Sequence, residues 1–252
     1  MQLLAPALLW KLLLASMIDF TTRSNKKELL DDTGIPFADI QQNMKELNRV
    51  NTLLGGHAIT IKGVKEIVKK LPPKQLITIC EIGCGGGDNL IAINEWCYNK
   101  MIPVQFIGID IKQECIEFAK SQCTQLNAVW ITNDYAAVQF KTKPDIIFSS
   151  LFCHHFEDNM LIVMIQWMKT NSKLGFFIND LHRHPLAYYL IKIITQIFSK
   201  SYLVKNDAPL SVARAFKKHE WTQLLAKSNV NNYTLQWQWA FRYLLTFSHD
   251  RK

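Results

Sequence analysis

Apolar positions recur at two different periods along the chain, and the change of period divides it near residue 73. Phe37, Ile40, Met44, Leu47, Val50 and Leu54 step by three and four residues, the spacing of one helix face. Gly55-Gly56 is expected to stop that helix, and a second is predicted from Ile61 to Leu71, closed by Pro72-Pro73. Beyond this point short apolar runs alternate with helical segments. Strands are predicted at Ile77–Ile82, Val104–Ile109, Ala128–Thr132, Asp145–Ser149 and Leu174–Ile178. Helices are predicted at Asp88–Trp96, Gln113–Leu126, Asp158–Met168 and Lys217–Lys227. Strands alternating with helices at these lengths predict a parallel sheet covered on both faces. The runs Tyr233–Trp239 and Phe241–Phe247 read as a terminal antiparallel hairpin.

One segment departs from the alternation. Leu186 to Phe198 is apolar almost all round and is expected to be buried or to line something greasy. It falls after the fifth strand, so residues 180–216 read as an insertion over the carboxyl ends of the strands, where open α/β sheets bind ligands. The organisation is then an N-terminal helical segment and cap (residues 1–73) followed by the sheet domain (74–252), with 180–216 as a substrate lid.

Composition narrows the class. The chain has 252 residues, 48% hydrophobic and 20% charged, enough apolar mass for a real core, which excludes disorder and small disulfide scaffolds. Lys plus Arg number 29 against 21 Asp plus Glu, a net charge of +8 that suits an anionic ligand or surface but equally an ordinary solvated exterior. The six cysteines form no Cys-x-x-Cys pair and sit in apolar stretches. They read as reduced, buried thiols of a cytoplasmic protein rather than zinc ligands. The first seventeen residues are very apolar, yet Lys11 interrupts them and no basic stretch leads in, so they fit neither a secretory signal nor a spanning helix. An amphipathic cap, a peripheral membrane contact, or a chain whose native start is Met17 are the readings left.

The chemistry begins at Glu81-Ile82-Gly83-Cys84-Gly85-Gly86-Gly87-Asp88, between a strand and a helix. Glycine lets the backbone turn tightly and lets a ligand approach main-chain N–H groups. The spacing is E-x-G-x-G-x-G, and a dinucleotide fingerprint would need glycine where Asp88 stands. The second strand ends in Asp110, the third near Asn133-Asp134-Tyr135, and the fourth is followed by Leu151-Phe152-Cys153-His154-His155-Phe156.

With these motifs the chain, over about residues 75–250, resembles the class I S-adenosylmethionine-dependent methyltransferases. The His-His-Phe run and Asn51 to Gly56 look like the quinone- and polyketide-type small-molecule branch. The resemblance implies a Rossmann-like seven-stranded sheet with a terminal antiparallel strand, and S-adenosyl-L-methionine as cofactor. It places Glu81, Gly83, Cys84, Gly85 and Gly87 in the loop, with Asp110 on the ribose hydroxyls and Ile111 beside it. Asp134 and Tyr135 fall at the adenine, and Ser150 follows the fourth strand.

Methyl transfer needs nucleophile and methyl carbon aligned in a dry pocket, and a base helps where the nucleophile is a phenol or enol. Histidine suits that task near neutral pH. His182, directly after the fifth strand, is the first candidate base. His155 is second, with a positional role the stronger reading; His154 and His219 rank below. Arg183 reads as an exposed side chain covering its own stem, and Asp180 as a cap or a ligand contact. No catalytic metal is expected, because Asp134 and Asp180 alone do not make a carboxylate cluster. The fourth strand lacks the Asn/Asp-Pro-Pro-aromatic motif of base-directed enzymes, and no Pro-Cys dipeptide occurs. The expected acceptor is therefore an apolar or aromatic small molecule, methylated on oxygen more readily than on carbon, with no nucleic acid as partner. An RNA- or protein-directed methyltransferase and a non-catalytic cofactor-binding member are the alternatives.

Overall fold

The computed structural model describes residues 18–32, 34–69, 71–72 and 74–250. The apolar N-terminal run lies outside the described residues. Two helices, α1 (Phe37–Leu53) and α2 (Gly56–Val68), precede the sheet. The alternation follows as β1 (Ile77–Ile82), α3 (Asp88–Asn99), β2 (Val104–Asp110), α4 (Gln113–Gln122), β3 (Ala128–Thr132), β4 (Ile146–Ser150), α5 (Asp158–Asn171) and β5 (Gly175–Leu181). The chain closes with α6 (Pro185–Phe198), α7 (Tyr202–Arg214), α8 (Lys218–Lys227), β6 (Tyr233–Gln238) and β7 (Arg242–Ser248). Strand order is β3-β2-β1-β4-β5-β7-β6; β1 to β5 pair in parallel, and β7 runs antiparallel to β5 and to β6. The expected α/β sheet with its antiparallel end is present.

The two helical layers explain why the central strands read as continuous apolar runs. Every residue of β4 is buried. On one face Ile82, Ile147, Leu161, Met164 and Trp221 form one core cluster; on the other Ile79, Leu90, Phe106, Phe148 and Phe177 form a second. Phe148 and Phe177 stack at 4.7 Å. A Cβ on Gly63 would lie 2.5 Å from the Phe177 ring, so glycine in α2 lets that helix cross β5 closely.

Four expectations change. Gly55 does end α1, with φ +73°, but Gly56 already belongs to α2, which starts five residues earlier than its apolar pattern does. The 180–216 segment holds two helices, the second carrying Pro209 inside it. The α6 helix is not apolar-buried all round: Ala187, Tyr188 and Thr195 are buried, whereas Leu186, Leu190, Ile193, Ile197 and Phe198 are exposed. Arg183 is not an exposed side chain. It is 1% exposed, donating to Glu220 at 2.7 and 3.0 Å and to the carbonyls of Phe20, Thr21 and Ala215. All six cysteines are buried and free.

The Arg183–Glu220 pair ties the main chain of Phe20 and Thr21 to the domain, and removing one partner strands a buried cation. Glu220→Ala should cost about 2–3 kcal/mol in urea unfolding, the buried-pair value discounted for Glu220's partial exposure. Burial alone would raise the Glu220 carboxyl. The hydrogen bond and charge of Arg183, with the Lys217 N–H, outweigh that and hold it below its ordinary value near 4.5. Its contribution is therefore present above that pH and is lost as pH falls through the folded value.

Candidate functional site

The carboxyl ends of β1 to β4 open into a cavity of about 540 Å³, roofed by α1. Its shape follows from the β1–α3 loop. Gly83, Gly85 and Gly87 take φ of +67°, +50° and +78°, a conformation costly for any residue with a Cβ. The Cys84 N–H donates to Ile109 O at 3.0 Å and the Gly87 N–H to Cys84 O at 2.9 Å, so the loop doubles back onto β2. Asp110 completes the stitch, accepting from Gly85 N–H on one oxygen and Lys112 N–H on the other, each at 2.9 Å. Burial raises its carboxyl, and those N–H groups oppose the rise.

Glu81 sits beneath the loop, 1% exposed. Its Oε1 accepts from Asn89 Nδ2 at 2.8 Å, while Oε2 has no partner among the described residues. Burial, and then the charge of Asp88, hold this carboxyl well above the usual range. Asn89 continues the polar wall: its Oδ1 takes a 3.2 Å bond from Thr60 and stands 3.0 Å from His57 Nδ1. Asn179 Nδ2 donates to Gly56 O, Thr60 Oγ1 and Ser150 Oγ, tying α2 to the ends of β4 and β5.

The apolar wall comes from Ile40, Met44 and Leu47 of α1, with Phe152 and Phe156 after β4. Leu151 is held at φ +53°, and the Phe152 ring packs against Gly83 so closely that an added Cβ there would lie 2.2 Å from it. Tyr135 packs edge-on against Phe152, Phe156 and Trp167. Asp134 caps the short turn that follows it, Tyr135–Ala137, accepting from Ala136 N–H at 2.9 Å.

Of the sequence-predicted residues, Glu81, Gly83, Cys84, Gly85, Asp110, Ile111, Asp134, Tyr135, Ser150 and His155 line this one cavity. Gly87 does not; its place is the start of α3. His182 does not line it either: it lies half-buried past β5, against Tyr243, His184 and Phe241. No lining residue comes from 180–216; α1 supplies the cover instead.

His155 lines the cavity with Nδ1 3.0 Å from Asp31 Oδ1 and Nε2 facing Glu28 Oε2 at 3.7 Å, beyond hydrogen-bond reach. His154 and Asp180 are buried partners, a pairing their positions in the sequence do not indicate: His154 Nδ1 stands 2.8 Å from Asp180 Oδ1. Burial pushes the Glu28 carboxyl up to about 7. Sequence reasoning missed Glu28 and Asp31, which lie more than 120 residues from His155 with no spacing to connect them; it also missed Asn89, whose helix position gave no sign of its reach to Glu81.

Comparison with known proteins agrees with this architecture. A family model described as a methyltransferase domain matches residues 79–175. No curated protein matches the sequence. Among solved structures, the plantazolicin methyltransferase in complex with SAH is 15% identical, covering 83% of this chain and 90% of its own, with a TM-score of 0.63. A SAM dependent methyltransferase from Aquifex aeolicus is 14% identical over 85% of this chain and 99% of its own, TM-score 0.57. Magnesium protoporphyrin IX methyltransferase from Synechocystis, with bound SAM, is 12% identical over 87% and 100%, TM-score 0.54. At these identities the likeness is one of fold, and the chain has the Rossmann-like methyltransferase fold.

The contact between Gly83 and Phe152 gives a local test. Gly83→Ala combines an unfavourable φ with a Cβ inside the ring, so it should lower stability by about 1–3 kcal/mol in chemical denaturation. Gly83→Ala combined with Phe152→Ala should recover the steric part of that loss and leave the backbone part.

Proposed function

We propose that the chain is an S-adenosylmethionine-dependent methyltransferase acting on an apolar or aromatic, quinone- or polyketide-like small molecule, on oxygen in preference to carbon. The observation that carries this reading is the convergence of the Asp110 carboxylate, the Gly83–Gly85 turn and an unpartnered Glu81 oxygen on one cavity. These groups fit the cofactor. Each Asp110 oxygen spends one lone pair on a main-chain N–H and keeps acceptor capacity for a ribose hydroxyl. Glu81 Oε2 is a buried acceptor in need of a donor, and the ammonium of a methionine moiety is such a donor. Nothing lies within 4 Å of a Cβ built on Gly85, which leaves room over the loop. Asp134 and Tyr135 line the same cavity, and in this reading they take the adenine.

The bound cofactor supplies an electrophilic methyl group on a sulfonium. The chain's own part is to orient and to keep water out. Ile40, Met44 and Leu47 line the cavity together with Phe152 and Phe156, and alignment within such an apolar wall is worth about 7–11 kcal/mol. His155, with its ring nitrogens turned to two carboxylates, is a positioning residue here, and His182 lies outside the cavity. An acceptor whose hydroxyl ionises readily, such as an acidic phenol or enol, suits a site that relies on alignment. The exposed apolar face of α6 and the net charge of +8 support uptake of that acceptor from an apolar or anionic surface. Among the described residues no helix is long and apolar enough to cross a membrane.

Calorimetric titration with S-adenosylmethionine and S-adenosylhomocysteine tests the reading. Wild type should bind both, and Asp110→Ala should bind about 10–100-fold more weakly, the worth of a hydrogen bond to a charged group. Absence of wild-type binding to either would overturn the proposal. Proton linkage is a second check. Burial and the charge of Asp88 push the Glu81 carboxyl up, and an ammonium beside it would push it down, so binding should lower its pKa and release protons at any pH where the free protein holds it protonated. Heats should then differ between buffers of unlike ionisation enthalpy, and Glu81→Gln should abolish that difference.

A further inference from the structure

At the edge of the cavity, three side chains, none of them given a bond-making role in the proposed methyl transfer, converge on a point. Glu28 comes from the stretch preceding α1, and His154 and His155 from the short turn after β4. One ligand-type atom from each lies within 4.8 Å of the others. His154 Nε2 is 3.6 Å from Glu28 Oε1, and His155 Nε2 is 3.7 Å from Glu28 Oε2. Those gaps are too wide for hydrogen bonds. They are close to the edge of a zinc tetrahedron, roughly 3.3–3.5 Å for metal–ligand distances of about 2.0–2.2 Å.

The surroundings orient the set. Each imidazole has a carboxylate on its far nitrogen: Asp180 at 2.8 Å from His154 Nδ1, and Asp31 at 3.0 Å from His155 Nδ1. A carboxylate on Nδ1 fixes the tautomer that turns the Nε2 lone pair inward, the usual support of a metal-binding histidine. Glu28 and His154 are 3% and 2% exposed. The turn that carries the histidines is clamped through its carbonyls: Arg214 donates to His154 O and His155 O, and Arg23 to Phe156 O. Arg214 is the guanidinium nearest Glu28, at 4.0 Å, but Nε, Nη1 and Nη2 all donate to main-chain carbonyls, of His154, Lys26 and His155. Glu28 receives one bond, 2.8 Å from Ser211 Oγ to Oε1.

We propose that Glu28, His154 and His155 form a divalent-metal site selective for Zn²⁺, with Asp180 and Asp31 orienting the two imidazoles. Two nitrogens and one carboxylate suit zinc, whereas magnesium takes oxygen ligands and keeps its waters. Three protein ligands leave one position for water. The ion joins the stretch carrying Leu30 and Asp31 to the turn carrying His155, and all three of these residues line the cavity. Its function in this position is to hold that edge of the cavity wall in place.

The test uses the full chain, stripped with a chelator, re-equilibrated with Zn²⁺ and freed of excess metal. Elemental analysis should find one zinc per chain, and competition with a chelating dye gives the affinity. Glu28→Gln, close in shape, should lose zinc with its circular dichroism unchanged. Asp31→Asn, which leaves all three ligands in place, should weaken binding by about 10–100-fold, the usual effect of removing a carboxylate behind a metal-bound histidine. Folded wild type holding well under one equivalent, or binding Mg²⁺ as tightly as Zn²⁺, would overturn the site. So would Asp31→Asn and a folded Glu28→Gln that both match wild type. None of these readouts requires S-adenosylmethionine, so failure here and failure of the methyltransferase reading are separable.

Discussion

Asp110 is where two strands and a loop are made into one surface. Its two oxygens take the N–H groups of Gly85 and Lys112, one from the turn after β1 and one from the turn after β2. Neither turn is a regular element, and both must bring their main chain to the same carboxylate. That requirement sets the positive φ at Gly83 and Gly85, because only a loop that reverses twice returns an N–H to the end of β2. Once the loop is fixed there, Glu81 is sealed below it and Phe152 closes on it from the side. Burial of a carboxylate in such a place is unfavourable unless its lone pairs are used. Two N–H groups make Asp110 tolerable without exhausting it, and what remains is acceptor capacity turned to the cavity.

Glu81 shows the opposite balance. One oxygen is satisfied by Asn89, the other by nothing among the described residues, and burial holds the carboxyl high. A purely structural role favours a fully bonded group, since a half-satisfied buried carboxylate costs stability. The loop and the polar wall around Asn89, Thr60 and Asn179 thus make a rigid container in which a single acceptor is left open. Rigidity there comes from hydrogen bonds crossing between α2, α3, β4 and β5 rather than from apolar packing, which lies above and below the sheet.

Legibility in the sequence followed the range of the interactions. Strands and helices whose apolar period is local were placed to within a few residues, β3 at Ala128–Thr132 among them. The glycine spacing and Asp110 were legible because the loop's geometry is written in consecutive residues. The α7 helix was missed because Pro209 and a mixed face hide its period, and its burial depends on neighbours distant in sequence. Cover of the cavity by α1 instead of 180–216 was not legible either, since both carry apolar faces and only the packing decides between them. The Glu28–His154–His155 cluster had the least signal of all. The acids near the strand ends, Asp134 and Asp180, make no metal cluster among the described residues, whereas the ligand-type atoms that meet come from a stretch with almost no regular structure and from a three-residue turn.

That stretch, residues 18 to 32, reassigns the insertion after β5. It has a single short turn, Leu29–Asp31, and few apolar contacts of its own. Its main chain is held by side chains and backbone near the insertion and its end: Phe20 O and Thr21 O by Arg183, Lys26 O by Arg214, Leu29 N–H and Leu30 N–H by Asp207, and Ser24 N–H by Ala213 O. Arginine suits this work because one planar group serves several carbonyls at fixed angles. An irregular stretch stays in place only if its polar groups find partners, and α7 with its flanks provides them. Residues 180–216 therefore act on the cavity at one remove. They seat the stretch that carries Glu28, Leu30 and Asp31, and that stretch in turn completes the wall beside His155.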